Sequence, residues 1–428
     1  MSKPKFLAEG EYGCVHKPSL HCDKKKIDYN NKVSKLMLNK DALQELSEYI
    51  LINDADPDNK YHLGKPEVCK PDTADIQNIT AIKKCSHKDK LMNKKNTTLI
   101  IMNDGGVNLE QFSATMHKQK TEQARSEMEK FWIDVHRLFM GLRAFIKHKI
   151  IHHDLKAPNI VYNPKTHRCN YIDFGLMEYV PNSIKKCKKD IYEFGFNHWN
   201  FPIESSIISI DDFTKVKAMD TNEKHKFIKK IVTEGRKNGW LNDFFSLTYY
   251  TTVASRKTYL LPFVDFIHHN IDECTYDQFI TKYFETVDIF GLGLSLIYVL
   301  EQTEHLIDET LCNSLKNIFR DMLSSNIKIR PNIATLIDRY EKILATSGIL
   351  DKHNLYITSH KLDIKPANII LLKDDLQEVI LKKTRQIRSA STKVMSKIMN
   401  RDPIRLRSSM VKPISGGFRK TYKLRKIK

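Results

Sequence analysis

Several features of secreted, membrane and zinc-binding proteins are missing from this sequence. No long apolar run opens the chain, nothing at its start resembles a secretory signal, and the eight cysteines are not paired in C-x-x-C knuckles. Cys69, Cys85 and His87 come closest to a set of metal ligands, but their spacing argues against zinc. We therefore expect an intracellular, non-secreted protein in a reducing setting, with no membrane-spanning helix.

Acidic residues are nearly missing from the C-terminal part of the chain. The net charge is +19 over 428 residues, yet residues 376–428 hold 16 of the 70 Lys and Arg and only two of the 51 acids. The first 375 residues are close to balanced. We assign 348–428 to a basic, partly disordered extension, which is either a solvated tail or a segment that binds nucleic acid or another polyanion.

Two short polar motifs near the middle of the chain carry chemistry. In the first, Asp154 is followed by Lys156 and, five residues on, by Asn159; in the second, Asp173 opens an Asp-Phe-Gly triplet. Asp and Asn are common in turns, so each motif alone is a weak signal. Together, and flanked by strand-like apolar residues, they offer a carboxylate and metal-ligating oxygens at a spacing that suits phosphoryl transfer.

The two motifs resemble the catalytic loop and the metal-binding loop of the eukaryotic-type protein kinase superfamily. The resemblance implies an α+β, bilobal protein-kinase-like fold with a small β-rich N-lobe and a larger helical C-lobe. It also implies ATP as phosphoryl donor and Mg²⁺, or alternatively Mn²⁺, as cofactor. Asp154 would be the catalytic base, Asn159 and Asp173 the metal ligands, and Lys156 the contact to the transferred phosphate, an arrangement typical of Ser/Thr kinases.

One residue of the catalytic loop departs from the family pattern. His153 stands where most of these kinases have the Arg that binds a phosphorylated activation segment. A neutral imidazole cannot reproduce the bidentate bonds that a guanidinium makes to phosphate. We therefore expect a kinase of the non-RD type, whose activity does not depend on phosphorylation between Leu176 and Phe201.

The N-terminal segment resembles the glycine-rich loop of the same family. Gly10 and Gly13 occupy two of the glycine positions, Val15 follows them, and Ala8 replaces the first glycine. Glycine lets backbone N–H groups approach phosphate oxygens that a Cβ would obstruct. A β-hairpin with glycines would look the same, so the assignment depends on the lysine that follows on a predicted strand.

That lysine is Lys35, which alternates with Val33 and Met37 onto one face of the predicted strand. The resemblance implies that it holds the α- and β-phosphates. A predicted helix over 40–53 should supply the Glu that pairs with it, and both Glu45 and Glu48 qualify. The family pattern favours Glu45, and Glu48 is more typical of a solvated helix face.

The segment 99–106 is predicted to form the fifth strand and the hinge between the lobes. Met102 takes the gatekeeper position, and Asn103, Asp104 and Gly105 would offer backbone groups to adenine. This assignment is made by position alone, because any residue type can supply a backbone group. We place the N-lobe and hinge at 1–104 and the C-lobe at 105–347.

Three further residues resemble structural anchors of the kinase C-lobe. Glu204, in a Pro-Ile-Glu triplet, is expected to pair with Arg330, and Asp288 to bond the backbone of the catalytic loop. Small-molecule kinases of this fold generally lack these anchors, so the resemblance implies protein substrates. Helical spacing over 126–149 predicts a buried central helix, and 205–286 is predicted to be a helical insertion, used for packing or for binding a partner.

A second stretch, 360–369, repeats the catalytic-loop wording around Asp363. No Asp-Phe-Gly follows it, and no glycine-rich loop or strand Lys precedes it, so the metal-binding carboxylate that the chemistry needs is missing. We expect Asp363 to be chemically idle. The stretch is a chance match, a remnant of duplication, or a segment that docks on the kinase body.

The Lys-, Asn- and Ile-rich composition and the end of the tail resemble Ser/Thr protein kinases of large nucleocytoplasmic DNA viruses. That resemblance implies action in the host cytoplasm or packaging in the virion. Two alternatives to an active kinase are kept. One is a catalytically weak kinase-fold scaffold, suggested by Ala8, His153 and the irregular Pro-Ile-Glu triplet; the other is a polyanion-binding protein that acts through its basic tail.

Overall fold

The computed structural model describes residues 3–10, 13–189, 198–357 and 364–366. Within these ranges the chain is α+β, with a small antiparallel sheet region followed by a larger helical part. The predicted α+β class and its uneven division are therefore confirmed. We refer to the described residues of 3–104 as the sheet region and to those of 105–357 as the helical part.

The sheet region is built around a central strand. Its elements are β1 (Phe6–Gly10), β2 (Gly13–His16), β3 (Lys32–Leu38), α1 (Asn39–Ala55), β4 (Glu67–Cys69), α2 (Ile76–Ile82), α3 (Lys88–Leu91) and β5 (Thr97–Asn103). The strands are antiparallel, in the spatial order β1-β2-β3-β5-β4. Because β3 is paired on both sides, Lys35 lies opposite Val15 of β2 and Ile100 of β5.

The two faces of this sheet have different neighbours. Side chains alternate across a strand, so Lys35 shares one face with Val15 and Ile100, while Leu36 shares the other with Cys14. The first face packs against α1. The second face is covered by the α2–α3 segment, which forms a separate small core with it.

Two disulfides, Cys14–Cys85 and Cys22–Cys69, join the strands of the sheet region to its other segments. The four cysteines of the helical part are unpaired and buried: Cys169, Cys187, Cys274 and Cys312. A reducing setting, which the scattered cysteines indicate, would leave all eight unpaired. The structure differs because the fold brings cysteines that are 71 and 47 residues apart in sequence within bonding distance. The two cysteines considered for zinc are therefore committed to different disulfides.

The helical part also contains short strands that shape the loops between its helices. Its elements are β6 (Val107–Asn108), α4 (Leu109–His117), α5 (Glu122–Lys147), β7 (Ile150–Ile151), β8 (Ile160–Asn163), β9 (Arg168–Tyr171), β10 (Glu178–Tyr179), α6 (Val180–Lys188), α7 (Ile210–Ala218), α8 (Thr221–Lys237), α9 (Trp240–Ser246), α10 (Val253–Asp265), α11 (Tyr276–Thr303), α12 (Glu309–Met322), α13 (Ile333–Thr346), α14 (Ile349–Lys352) and β11 (Leu355–Ile357). β6, β8 and β9 form one antiparallel sheet, and β7 pairs with β10. β11 pairs with β12 (Ile364–Pro366).

Helix α5 matches the predicted central helix and is largely buried. It begins at Glu122, before the predicted start, because the Thr121 side chain accepts a hydrogen bond from the Ala124 N–H and caps the first turn. Helix α13 packs on α5, and the buried Tyr340 hydroxyl donates to the Trp132 carbonyl. These contacts place α5 in the centre of the core of the helical part.

Helix α11 is apolar on all sides. The stretch Tyr276–Leu306 is long and apolar enough to cross a membrane, with a mean hydropathy of 1.5 over 18 residues, but 89% of that window is buried inside the protein. A helix that is hydrophobic all round is typical of the core of a large domain. α11 is therefore the second central helix of the core of the helical part.

The predicted insertion is helical, and α7, α8, α9 and α10 lie within it. Its predicted end near 286 falls inside α11, which begins at Tyr276 because the Thr275 side chain caps it. The aromatic rings of Phe244 and Phe290 lie 5.8 Å apart and stack α9 on α11. These described contacts show the insertion packed against the core.

The predicted basic extension starts with ordered structure. Ile349 and Leu350 of α14 are buried, and Glu129 of α5 pairs with both Lys352 and His353. Residues from 367 onward, including most of the basic tail, lie outside the described residues. Asp363 and the greater part of the second catalytic-loop-like stretch lie outside them as well.

Candidate active site

Helix α11 binds the backbone of the loop between β7 and β8. The Asp288 carboxylate accepts hydrogen bonds from the backbone N–H groups of His152 and His153, at 2.7 and 2.9 Å. Gly291, one turn further along α11, allows close contact, since a Cβ there would lie 2.7 Å from the Leu155 carbonyl oxygen. The predicted bond from Asp288 to the loop backbone is therefore confirmed.

Three donors orient the Asp154 carboxylate. One oxygen accepts from the Asn159 amide at 2.8 Å and lies 2.9 Å from the Lys156 ammonium; the other accepts from the Asn200 amide at 2.9 Å. The Asn159 amide also donates to the Asp154 carbonyl, which closes the loop on itself. Asn200 was missed by the sequence analysis, because it is 46 residues away and belongs to no motif that we used.

A second lysine of the site, Lys35, comes from the sheet region. Lys35 lies 2.6 Å from a Glu45 carboxylate oxygen and 3.9 Å from one of Asp173. Burial by itself lowers the pKa of Lys35, but Glu45 and Asp173 outweigh it and leave the pKa raised, so the ammonium stays charged. Glu45, rather than Glu48, is the carboxylate that pairs with Lys35 in the structure.

Glu48 is buried rather than solvated, contrary to the sequence expectation. One of its carboxylate oxygens is buried without a hydrogen-bond partner. Burial, with the Glu45 carboxylate as the next cause, raises the pKa of Glu48 to about 8. Helix α1 therefore presents two carboxyl groups inward, of which one is paired and the other is largely protonated at neutral pH.

A cavity of about 370 Å³ lies between the sheet region and the helical part. Its walls include the predicted chemical residues Gly10, Lys35, Glu45, Asp154, Lys156, Asn159 and Asp173. Its described lining does not include the remaining predicted nucleotide contacts: Ala8, Gly13, Val15, Met102, Asn103, Asp104 and Gly105. The structure thus brings the charged groups to one cavity and places the predicted adenine contacts outside that cavity's walls.

The glycine-rich hairpin has a packing requirement of its own. Ala8 pairs with Val15 and Gly10 with Gly13, while Glu11 and Tyr12 lie outside the described residues. A Cβ on Gly13 would collide with the carbonyl oxygen of Leu36 in β3, whereas Gly10 has open space around it. The need for glycine at position 13 therefore comes from the neighbouring strand.

The predicted hinge is fixed by contacts to the loop before β3. The Asp104 N–H donates to the Asn31 carbonyl at 2.7 Å, and its carboxylate pairs with Lys17 at 2.8 Å. The Asp104 N–H is therefore engaged within the protein. Met102 faces α1, where its sulfur accepts from the Tyr49 hydroxyl at 3.1 Å.

A row of aromatic rings connects α1 to the loop between β7 and β8. Phe174, of the Asp-Phe-Gly triplet, lies between Tyr49 and His152, with ring centroids 5.5 and 5.4 Å away. His152 is the residue whose backbone is held by Asp288. No sequence motif predicts this row of rings, because its members come from three separate segments.

His153 is buried against Phe201, with ring centroids 5.2 Å apart. Burial, helped by His152 and Lys186, lowers the pKa of His153 to about 3, so the imidazole is neutral. The residue therefore has neither the exposure nor the charge to bind a phosphate group. Residues 190–197 of the expected activation segment lie outside the described residues.

Glu204 and Arg330 form a fully buried ion pair at 2.5 Å, which confirms their predicted pairing. The guanidinium also donates to the Ser324 carbonyl and lies 5.2 Å from the Phe290 ring. The pair ties the segment after Asn200 to the loop between α12 and α13. It thereby fixes the segment that brings Asn200 to Asp154.

No protein-family model matches this chain, and no curated protein matches it.

Among the described residues, Glu9, Cys14 and Cys85 bring three possible metal-ligand atoms within 4.8 Å of one another. Cys14 and Cys85 form a disulfide, so this group is not a metal site.

Proposed function

We propose that this chain is a Ser/Thr protein kinase with a bilobal, protein-kinase-like fold. The proposal depends on one observation. Lys35, which pairs with Glu45, lines a single cavity together with Asp154, Asn159 and Asp173, which come from a different part of the molecule; three donors orient Asp154. Phosphoryl transfer needs this combination of a cation for phosphate, a base for a hydroxyl and oxygen ligands for a metal. Ordinary turn residues have no reason to converge in this way.

The residues present suit a magnesium ion. The side chain of Asp173 is half exposed, and the residue lines the cavity. The Asn159 amide nitrogen is used by Asp154, which leaves its amide oxygen as the ligating atom. Oxygen ligands of this type are those that Mg²⁺ prefers, and the bound ion would neutralise phosphate charge. Asn159 and Asp173 are therefore the residues that would hold it.

The chain's own residues divide the remaining tasks. Lys35, oriented by Glu45, would bind phosphate oxygens of ATP, and Lys156 would contact the phosphoryl group in transfer. Asp154 would accept the proton as the substrate hydroxyl oxygen bonds to the γ-phosphorus and the bond from that phosphorus to the β-phosphate bridging oxygen breaks. Asn200 and Asn159 hold the Asp154 carboxylate in place for that step.

The function is tested by incubating the full chain with Mg²⁺, labelled ATP and generic acidic and basic proteins. We expect label on Ser and Thr, and its loss in Lys35→Met while ATP-dependent thermal stabilisation is partly kept. A well-folded protein that binds ATP but transfers no label would instead favour the kinase-fold scaffold. Binding of nucleic acid by the basic tail remains a separate prediction, since that tail lies outside the described residues.

A further inference from the structure

A second cavity, of about 90 Å³, adjoins the catalytic loop at Ala157 and Pro158. Its walls come from five segments of the helical part that are distant in sequence. They include Glu110, Pro158, Trp199, Leu247, Leu294 and Tyr298. None of these residues has a role in the chemistry proposed above.

The cavity lies where residues next to a substrate hydroxyl would pass. Pro158 stands between Lys156 and Asn159, and Trp199 directly precedes Asn200, whose amide donates to Asp154 at 2.9 Å. An extended chain advances about 3.3 Å per residue. Because Pro158 and Trp199 each adjoin a residue that contacts Asp154, a peptide whose hydroxyl lies at Asp154 would present a side chain from a nearby position to this cavity.

The walls select the chemistry of that side chain. Pro158, Trp199, Leu247 and Leu294 are apolar, and burying a charge among them would cost its hydration. The volume is less than the roughly 150 Å³ that accommodates benzene in an engineered cavity and far more than one water needs. A branched or straight aliphatic side chain fits this space, and Glu110 at the wall disfavours an acidic one.

We propose that this cavity is a specificity site that takes an aliphatic side chain, of Val, Leu, Ile or Met, near the phosphorylated Ser or Thr. The inference rests on the proposed kinase function and names its substrate class. The insertion contributes Leu247 to the wall. The insertion therefore takes part in substrate selection as well as in packing.

The test is a positional-scanning peptide library with one central Ser, phosphorylated by the full chain with Mg²⁺ and ATP. We expect one position near the Ser at which Leu, Ile, Val or Met raises kcat/KM about tenfold over Ala, as a filled apolar pocket does. Acidic residues there should lower it. Phosphorylation with no aliphatic preference at any position would overturn this inference alone, whereas absence of all transfer would overturn the proposed function and the inference with it.

Two variants of one wall residue make the assignment to this cavity specific. Leu247→Trp fills the space and should reduce the Leu-over-Ala ratio to within twofold of one. Leu247→Ala enlarges the space and should move the preference toward Phe. Leu261→Trp is the matched control, because Leu261 is an exposed leucine of the same insertion, and it should leave the ratio unchanged. An unaltered ratio in both Leu247 variants would show that the preference arises elsewhere and would overturn the proposal.

Discussion

The sheet region and the helical part are stabilised in different ways. The helical part has one large hydrophobic core to which most of its described helices contribute. The sheet region has two small core clusters and both disulfides. Small clusters bury little apolar surface, and cross-links add stability to them. The comparison indicates that apolar packing stabilises the helical part, while disulfides add to the stability of the sheet region.

The two regions also bring different chemistry to the site. The sheet region supplies the cation Lys35 and its partner Glu45, and the helical part supplies Asp154, Asn159 and Asp173. Neither region holds the whole set. Activity should therefore depend on both kinds of stabilisation, and the following predictions separate them, beginning with the largest effect.

The largest effect is expected at the helical part's carboxylate. Asp154→Ala should lower the rate of phosphoryl transfer by about 10³-fold or more, because it removes both the base and the group that Asn159 and Asn200 orient. Asp363→Ala is the control and should keep the rate within about threefold, a difference under 1 kcal/mol. The measurement is a labelled-ATP assay. A dependence on Asp363 and not on Asp154 would refute the assignment of the catalytic loop.

The packing of the helical part is tested at its buried ion pair. Arg330→Met should lower the free energy of unfolding by about 3–5 kcal/mol, because Glu204 is left charged and unpaired in the core. Arg339→Met removes an exposed pair with Asp321 and should cost at most about 1 kcal/mol. Urea unfolding of the two variants measures the difference. Equal losses would mean that the buried pair is not a special anchor.

The sheet region is tested by reducing its disulfides. Reduction, or the double change Cys14→Ser with Cys85→Ser, should destabilise this region by about 2–5 kcal/mol, since each cross-link closes a long loop. Hydrogen exchange of β1 and β2 would report the loss. Cys187→Ser, at an unpaired and buried cysteine, is the control and should leave exchange in these strands unchanged. If hydrogen exchange of β1 and β2 stayed unaltered on reduction, the result would support the expectation that the cysteines of the sheet region are free thiols.

A smaller effect is expected from the buried carboxyl of Glu48, one oxygen of which has no hydrogen-bond partner. Its pKa is raised to about 8 in the folded protein from an unfolded value near 4.5, so the folded state binds the extra proton between these values. Stability should therefore fall as pH rises from about 5 to 8. Glu48→Gln should remove that part of the slope and be more stable than the wild type at pH 8, by about 1 kcal/mol after allowance for solvent screening.

The measurement for Glu48 is urea unfolding at pH 5.5 and pH 8.5. Glu234→Gln, at an exposed carboxylate of α8, serves as control and should follow the wild type. If Glu48→Gln lost as much stability as the wild type between the two pH values, the buried carboxyl would not be the source of the slope.

The smallest effect is expected from phosphorylation of the activation segment. His153 is buried and neutral, so it cannot bind a phosphate there. Phosphatase treatment should change activity by less than about twofold, against the much larger loss expected from a kinase that needs this contact. Mass spectrometry must show that phosphate was present between Leu176 and Phe201 and was removed. A large loss of activity would mean that another cation takes the place of the missing Arg.

The sequence by itself determined the parts that depend on neighbouring residues. The alternation around Lys35 predicted a strand, the helical spacing around Trp132 predicted a buried helix, and the run from Asp154 to Asn159 formed a single loop. Such patterns act over a few residues, where backbone geometry fixes which side chains share a face or a turn. Glu204 with Arg330 was predicted over a longer distance only because a family resemblance linked the two.

The tertiary structure alone decided which distant residues meet. It brought Asn200 to Asp154, Phe174 between Tyr49 and His152, and Cys14 to Cys85. It also gave Glu45 and Glu48 different surroundings, since Glu45 pairs with Lys35 while one oxygen of Glu48 is buried without a partner. The sequence favoured Glu45 but could not predict these contacts. Burial, pairing and the resulting pKa values depend on what the fold packs against each side chain, and that surrounding set comes from segments far apart in the chain.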